Sequence, residues 1–150
     1  LDNAISEMRR VAHNMMPESL LKFGLTQAIQ DYCESINESK IIQLAYKDIG
    51  MNERLDNSIE IVLYRIIQEL VNNSIKHAQA QHVIIQLEKN EKNVTLTVED
   101  DGKGFDVNVL EKIKGFGLSN IQSRVDYLKG NLEIDSQNNI GTSFYITIPV

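Results

Sequence analysis

The sequence predicts an α+β fold in which helices cover one face of a mixed, mainly antiparallel sheet of five strands. The first half of the chain is dominated by stretches whose apolar residues recur with a helical period. The second half is dominated by short stretches with a two-residue period, and these fall into two hairpin-like pairs. Long helices combined with hairpins favour a two-layer sandwich.

The composition describes one compact domain. The chain has 150 residues, of which 42% are hydrophobic and 24% are charged, and this is the usual size of a single domain. A net charge of −6 argues against a broad nucleic-acid-binding face, which is usually basic. The single cysteine, Cys33, excludes an internal disulfide and cysteine-based zinc modules. We find no signal peptide or apolar run of about 20 residues and expect a cytoplasmic domain, joined to a membrane only through a preceding segment if at all.

Amphipathic helices are predicted for four segments. The first runs from Leu1 to just before Pro17, because the residue before a proline avoids the α region. The long third helix carries its apolar stripe through Ile59 and Ile66. The last helix ends near Gly130, a residue suited to a C-terminal cap. The second helix is predicted at 26–38, the third at 55–77 and the fourth at 118–128.

Five strands are predicted, at 41–47, 82–88, 93–99, 131–136 and 142–150. In the third strand every second side chain is predicted to point inward, and Asp100 continues this series. Asp101 is predicted to point to the opposite face. An inward carboxylate at the end of a strand is costly unless it meets a hydrogen-bond donor. Asp100 is therefore a candidate functional residue.

The end of the long helix is unusually polar. Glu69, Asn73 and His77 are each four residues apart, so they share one face, and Lys76 lies beside them. That face continues the apolar stripe, and polar groups that point inward must be paired. Two interpretations stay open at this point: a functional cluster, or a helix end that is exposed to solvent.

Two glycine-rich stretches follow. The first is Asp100-x-Gly102-x-Gly104, and the second is Gly115-Phe-Gly117-Leu118, directly before a helix. Glycines let a backbone approach a ligand closely, and the free amides at a helix start bind anions. Each stretch alone is weak evidence, since neither is a complete phosphate-binding loop or dinucleotide motif, and no EF-hand calcium loop is present.

The order and spacing of these motifs resemble the ATP-binding domain of sensor histidine kinases, within the gyrase, histidine kinase and MutL ATPase superfamily. QELVNNSIKHA (68–78) resembles the N box, DDGKGF (100–105) the G1 box and GFGL (115–118) the G2 box, with Gly-Thr before the last strand. The C-terminal stretch from 115 is similar to the subfamily that pairs with LuxR-type response regulators. The resemblance is strong over 55–150 and looser over 1–40, and it implies a Bergerat-type ATP-binding fold.

The resemblance implies a role for each candidate residue. Asp100 would accept a hydrogen bond from the adenine amino group, with Thr142 supporting the same edge of the base. Asn73 would bind Mg²⁺, and Glu69 would act as general base toward the incoming histidine. The residues implied to contact or cradle the phosphates, beneath a lid at 105–114, are Lys76, His77, Gly115, Gly117 and Leu118. Gly102 and Gly104 are implied to bind the nucleotide.

The resemblance also implies a division of the chain. Residues 1–20 resemble the C-terminal helix of a dimerisation domain whose acceptor helix is absent, and 21–150 form the catalytic domain. His13 lies in RRVAHNMMP, a context unlike an acceptor histidine, so we expect MgATP binding without autophosphorylation. The whole protein is expected to be a homodimer that phosphorylates a response regulator with a LuxR-type output and does not itself bind nucleic acid.

Three alternatives use the same pocket. An anti-sigma-type serine kinase acts on a partner protein, but such kinases lack a remnant of a dimerisation helix. A gyrase-like ATPase would use Glu69 to activate water, although no DNA-acting module is evident. A nucleotide sensor without catalytic activity is the non-enzymatic alternative.

Overall fold

The computed structural model describes residues 17–104 and 118–150. These residues form four helices and five strands. The helices are α1 (Glu18–Phe23), α2 (Leu25–Glu38), α3 (Asn57–Lys76) and α4 (Leu118–Tyr127). The strands are β1 (Gln43–Ile49), β2 (His82–Lys89), β3 (Asn93–Asp100), β4 (Asn131–Gln137) and β5 (Gly141–Pro149). The first predicted helix and the predicted lid lie outside the described residues.

The strands form one five-stranded sheet in the order β1-β2-β3-β5-β4. β1 and β2 are parallel and are connected through α3, as a parallel pair requires a long crossover. The other three neighbouring pairs are antiparallel. The predicted α+β class with a mixed, mainly antiparallel five-stranded sheet is confirmed.

The hydrophobic core lies between one face of the sheet and the helices. Along β2 and β3 buried and exposed side chains alternate, so one face of the sheet is covered and the other meets solvent. The helices contribute fully buried residues such as Ile29 of α2, Ile66 of α3 and Ile121 of α4. Cys33 is buried in this core. The molecule is a two-layer sandwich.

Two details of the N-terminal half differ from the expectation. The stretch Glu18–Phe23, for which no helix was predicted, forms the short helix α1. β1 begins two residues later than predicted, because its pairing with β2 starts where Gln43 lies opposite His82; the buried Ile42 precedes it. The side chain of Asn37 then hydrogen-bonds both the N–H and the carbonyl of Leu44, at 2.7 and 2.9 Å. This contact joins the end of α2 to the start of β1.

A buried carboxylate ties α1 and α2 to α3. Glu60, in the first turn of α3, is only 2% exposed. Its carboxylate accepts hydrogen bonds from the guanidinium of Arg54 at 2.7 Å and from the backbone N–H of Leu25 at 3.2 Å. The same guanidinium approaches the carbonyl oxygen of Leu20 at 3.4 Å. Glu60 therefore connects α3 to the start of α2 directly and to α1 through Arg54.

Candidate functional site

A pocket opens between the second half of α3 and the edge of the sheet where β3 ends and β5 begins. Because these strands are antiparallel, Asp100 at the end of β3 lies opposite Thr142 at the start of β5. The pocket has about 360 Å³ of empty space, counting the part open to solvent. Its described lining consists of Leu70, Asn73, Ser74, His77, Ala78, Asp100, Gly104, Leu118, Thr142 and Phe144.

The Asp100 carboxylate is held by one donor on each oxygen. Its Oδ2 lies 3.0 Å from the hydroxyl of Ser74, and its Oδ1 accepts the backbone N–H of Gly102 at 2.9 Å. An ionised carboxylate has about four lone-pair positions, so these contacts leave capacity to accept further hydrogen bonds. The inward carboxylate expected from the strand alternation thus meets donors and faces the pocket.

Thr142 is placed beside this carboxylate and is only 4% exposed. Its Oγ1 lies 2.8 Å from the hydroxyl of Ser136, which is its direct partner on β4. Asp100, Thr142 and Ser136 therefore form a polar row across three adjacent strands, on the face that elsewhere is apolar. Asp100 and Thr142 of this row line the pocket and can offer hydrogen-bonding groups to a ligand.

The polar end of α3 is divided by the structure. Asn73 and His77, one turn apart, line the pocket together with Leu118 at the start of α4. Lys76 is exposed in the last turn and Glu69 is half-buried, and neither is part of the lining. The helix therefore directs only part of its predicted polar cluster to the pocket.

The two glycines after β3 differ in what they contact. Gly104 lines the pocket and has a φ of +64°, and a side chain there would overlap the carbonyl oxygen of Gln137. Gly102 is not part of the lining, because its Cα faces the end of α3, where an added Cβ would lie 2.5 Å from the carbonyl oxygen of Ala78. That carbonyl also accepts the N–H of Lys103 at 2.8 Å. The glycines let this loop pack between α3 and the β4–β5 turn.

The remaining candidates, Gly115 and Gly117, lie outside the described residues. The structure thus brings together six of the predicted site residues: Asn73, His77, Asp100, Gly104, Leu118 and Thr142. It leaves Glu69, Lys76 and Gly102 beside the lining.

Sequence reasoning missed Ser74 and the apolar lining, Leu70, Ala78 and Phe144. The signal for Ser74 was its position four residues after Leu70 on the buried stripe of α3, where a hydroxyl needs a partner. Phe144 lies two residues after Thr142 and so shares its face of the sheet.

Asp101, next to the site, anchors the loop from outside. Its Oδ1 accepts the backbone N–H groups of Gln81 and His82 at 2.8 and 2.9 Å, and its Oδ2 lies 2.8 Å from Nδ1 of the His82 ring. Partial desolvation works to raise the pKa of Asp101, but the hydrogen bonds from His82 and Gln81 outweigh it, and the pKa lies below its usual value. Asp100 and Asp101 therefore point in opposite directions, as predicted. Asp100 faces the pocket, whereas Asp101 binds Gln81 and His82 at the start of β2.

The part of the chain that the structure describes contains neither a metal-binding cluster nor a membrane-spanning helix. Among the described residues, no group of three or more His, Cys, Asp or Glu side chains is placed to hold a metal ion. Within the same ranges, 17–104 and 118–150, no helix has the length and apolar character to cross a membrane.

The comparison with protein families identifies the class of domain. Residues 58–150 match the family described as histidine kinase-, DNA gyrase B- and HSP90-like ATPase. The match includes α3 and all strands except β1, and therefore every side chain of the pocket. The chain belongs to this ATPase family, and the ATP-binding domain implied by the motifs is confirmed.

Curated relatives are named histidine kinases. The chain is 36% identical over 149 residues, 99% of its length, to the signal transduction histidine-protein kinase/phosphatase DegS of Brevibacillus brevis. It is 33% identical over its whole length to the oxygen sensor histidine kinase NreB of Staphylococcus carnosus (strain TM300). The chain spans only 38% and 43% of these two proteins.

A solved structure supports the fold. The histidine kinase domain of the Erythrobacter litoralis EL346 blue-light activated histidine kinase superposes with a TM-score of 0.65 and 20% sequence identity. The alignment covers 83% of this chain and 60% of that domain.

Proposed function

We propose that this chain is the ATP-binding catalytic domain of a sensor histidine kinase. It would transfer the γ-phosphoryl group of MgATP to a histidine of a dimerisation helix, for relay to an aspartate of a response regulator. The observation that carries the proposal is the Asp100 carboxylate, held at the floor of the pocket with acceptor capacity left over. The family match and the named relatives support the nucleotide and the reaction.

The base would be selected by Asp100. Adenine presents an amino group that donates to an ionised carboxylate, whereas guanine presents a carbonyl oxygen in the same place. A hydrogen bond to a charged group contributes about 1.5–3 kcal/mol, which corresponds to roughly one to two orders of magnitude in affinity. Thr142, beside the carboxylate, would support the same edge of the base.

The residues present fit Mg²⁺ bound mainly through the nucleotide. Mg²⁺ prefers oxygen ligands and commonly takes few from the protein and the rest from phosphates and water. The Asn73 side chain lines the pocket, and the described residues contain no larger ligand cluster. Asn73 would therefore provide an amide oxygen, and the bound ion would neutralise charge on the triphosphate.

The phosphates would extend toward the start of α4. Leu118 is its first residue and lines the pocket, so its backbone N–H belongs to the anion-binding end of a helix. His77 lines the pocket at the end of α3, and the exposed Lys76, its neighbour in the chain, would add a positive charge. Gly115 and Gly117, implied by the resemblance to cradle the phosphates, stay predictions.

Phosphoryl transfer would need a histidine from outside the pocket. Glu69 lies one turn before Asn73, half-buried and outside the lining, and is proposed as the general base. It would take the proton from the attacking ring nitrogen as the γ-phosphoryl group leaves ADP. In this proposal the acceptor is not His13, residues 1–20 belong to the dimerisation domain, and 21–150 form the catalytic domain.

The proposed partners follow from the same assignment. The whole protein would act as a homodimer and phosphorylate a response regulator with a LuxR-type DNA-binding output. This domain would work in the cytoplasm, where ATP and the regulator are available.

Calorimetric titration with ATP and GTP, with and without Mg²⁺, tests the pocket. We expect Asp100→Asn to weaken ATP binding roughly ten- to a hundredfold and to reduce discrimination against GTP, because an amide can also donate to the guanine carbonyl. Asp135→Asn, an exposed carboxylate on β4, is the matched control. Unchanged ATP affinity in Asp100→Asn would contradict the pocket assignment.

Two further assays test the metal and the reaction. Asn73→Ala should reduce the dependence of ATP affinity on Mg²⁺, whereas its neighbour Asn72→Ala, outside the lining, should not. With γ-labelled ATP we expect phosphate on a dimerisation-helix histidine supplied in trans, lost in Glu69→Gln. Labelling of His13 would contradict its exclusion, and steady hydrolysis without a protein acceptor would favour a gyrase-like ATPase.

A further inference from the structure

Ser74 lines the pocket beside the Asp100 carboxylate and is 3% exposed. Its Oγ is 3.0 Å from Oδ2 of Asp100 and 3.1 Å from the carbonyl oxygen of Leu70, one turn earlier on α3. Both neighbours are hydrogen-bond acceptors, and a hydroxyl has only one hydrogen to donate. The direction of this hydrogen decides what Ser74 does.

The Ser74 hydroxyl donates its hydrogen to the Asp100 carboxylate. Leu70 already receives the backbone N–H of Ser74 through the helix, since α-helical bonds join residues four apart. If the hydroxyl also pointed at Leu70, its oxygen would face the carboxylate oxygen at 3.0 Å with no hydrogen between them. A hydrogen bond to an ionised carboxylate is stronger than one to a neutral carbonyl.

Two donors then hold the carboxylate from different sides. The Gly102 amide holds Oδ1 and the Ser74 hydroxyl holds Oδ2. The terminal torsion of an aspartate side chain is broad and has no sharp rotamer of its own. With Gly102 alone, the Asp100 carboxylate could rotate about its last bond, and Oδ2 would no longer keep one direction.

We propose that Ser74 is a specificity-positioning residue, which fixes the Asp100 carboxylate in the orientation that reads the exocyclic amino group of a 6-aminopurine nucleotide. The inference rests on the proposed function, since it assumes that Asp100 reads the base. It predicts that Ser74 acts on the amino group alone, whereas a residue with a merely structural role would affect the binding of every nucleotide alike.

The test compares two nucleotides, ATP and purine riboside triphosphate, which lacks the amino group. By calorimetry with Mg²⁺, Ser74→Ala should weaken ATP binding roughly three- to tenfold, and the affinity for purine riboside triphosphate should change less than about twofold. Ser74→Thr keeps the hydroxyl and should restore ATP affinity. Ser123→Ala removes an exposed serine from α4 and should change neither nucleotide.

Three outcomes overturn the inference: no loss for ATP in Ser74→Ala, an equal loss for both nucleotides, or Ser74→Thr behaving as Ser74→Ala. If Ser74→Ala does not fold by circular dichroism, Ser74→Cys replaces it, because a thiol of similar size is a weak donor and should show a smaller, still ATP-selective loss.

The design separates this inference from the proposed function. If the wild-type chain binds neither nucleotide, or if Asp100→Asn leaves ATP affinity unchanged, the proposed function fails. If both behave as expected and Ser74→Ala binds ATP like the wild type, only the role of Ser74 is wrong.

Discussion

Thr142 lies directly opposite Asp100 in the antiparallel pair of β3 and β5, and its hydroxyl is 2.8 Å from that of Ser136. Thr142→Val keeps the shape and removes the hydroxyl. We expect ATP affinity to fall roughly three- to tenfold, the usual effect of losing one neutral hydrogen bond, measured by calorimetry. Thr147→Val, on the opposite face of the same strand, is the control. If the two variants bound ATP with equal affinity, Thr142 would not contribute to the site.

Gly102→Ala should destabilise the loop that follows β3. The new methyl group would lie 2.5 Å from the carbonyl oxygen of Ala78 and 2.6 Å from its Cβ, so the loop must move away from α3. Overpacking of this kind costs about 1–3 kcal/mol, which urea unfolding should detect. Lys103→Ala, which leaves the backbone contacts of the loop in place, should unfold like the wild type. A stable Gly102→Ala chain would show that the loop adjusts freely.

Glu60→Ala should loosen the attachment of α1 and α2. The substitution leaves the buried backbone N–H of Leu25 without its acceptor, and such a loss costs about 1–3 kcal/mol. Thermal unfolding should show a lower midpoint than for Glu34→Ala, which removes an exposed glutamate from α2. Equal midpoints would mean that the two helices are held by their apolar contacts alone.

The Asp101 contacts should make stability depend on acid pH. The pKa of Asp101 is lower in the folded chain than its usual 3.8, so the ionised form stabilises the fold. This contribution is complete above the unfolded value and is lost as the pH falls through the lower, folded value. Because the pair with His82 is exposed, the contribution at pH 7 should be below about 1 kcal/mol.

Urea unfolding of Asp101→Asn at pH 7 and pH 3 measures this effect. The variant should be less stable than the wild type at pH 7, and the difference should shrink at pH 3. Asp135→Asn should show no such dependence. A difference that grows toward pH 3 would have the wrong sign for a stabilising carboxylate.

The regular elements were predictable because burial on one face imposes a period on the sequence. β2 and β3 begin at the predicted residues and α2 ends at its predicted residue, since their apolar stripes are long or strictly alternating. α1 was missed because six residues hold less than two helical turns and show no clear period. β1 was displaced because the apolar residues Ile41 and Ile42 directly precede the strand, so the pattern does not show where the strand begins.

The site was predictable where one motif specified a backbone position. Asp100 and Thr142 follow from strand alternation and from the family resemblance. Ser74 could not be assigned in the same way, because a buried serine on a helix commonly bonds its own backbone. Only its 3.0 Å approach to Asp100, 26 residues away, gives it a role.

The sequence by itself determined the α+β class, the order of the five strands and the three longer helices α2, α3 and α4, and the residue types from which a nucleotide site could be built. These are local properties, set by periodicity and by spacing within single elements. Only the tertiary structure decided which side chains share the pocket, that Asn73 and His77 line it while Glu69 and Lys76 do not, and that a serine and a glycine hold Asp100. Such contacts depend on how α3 is placed over the end of the sheet, and that placement follows from packing over the whole core.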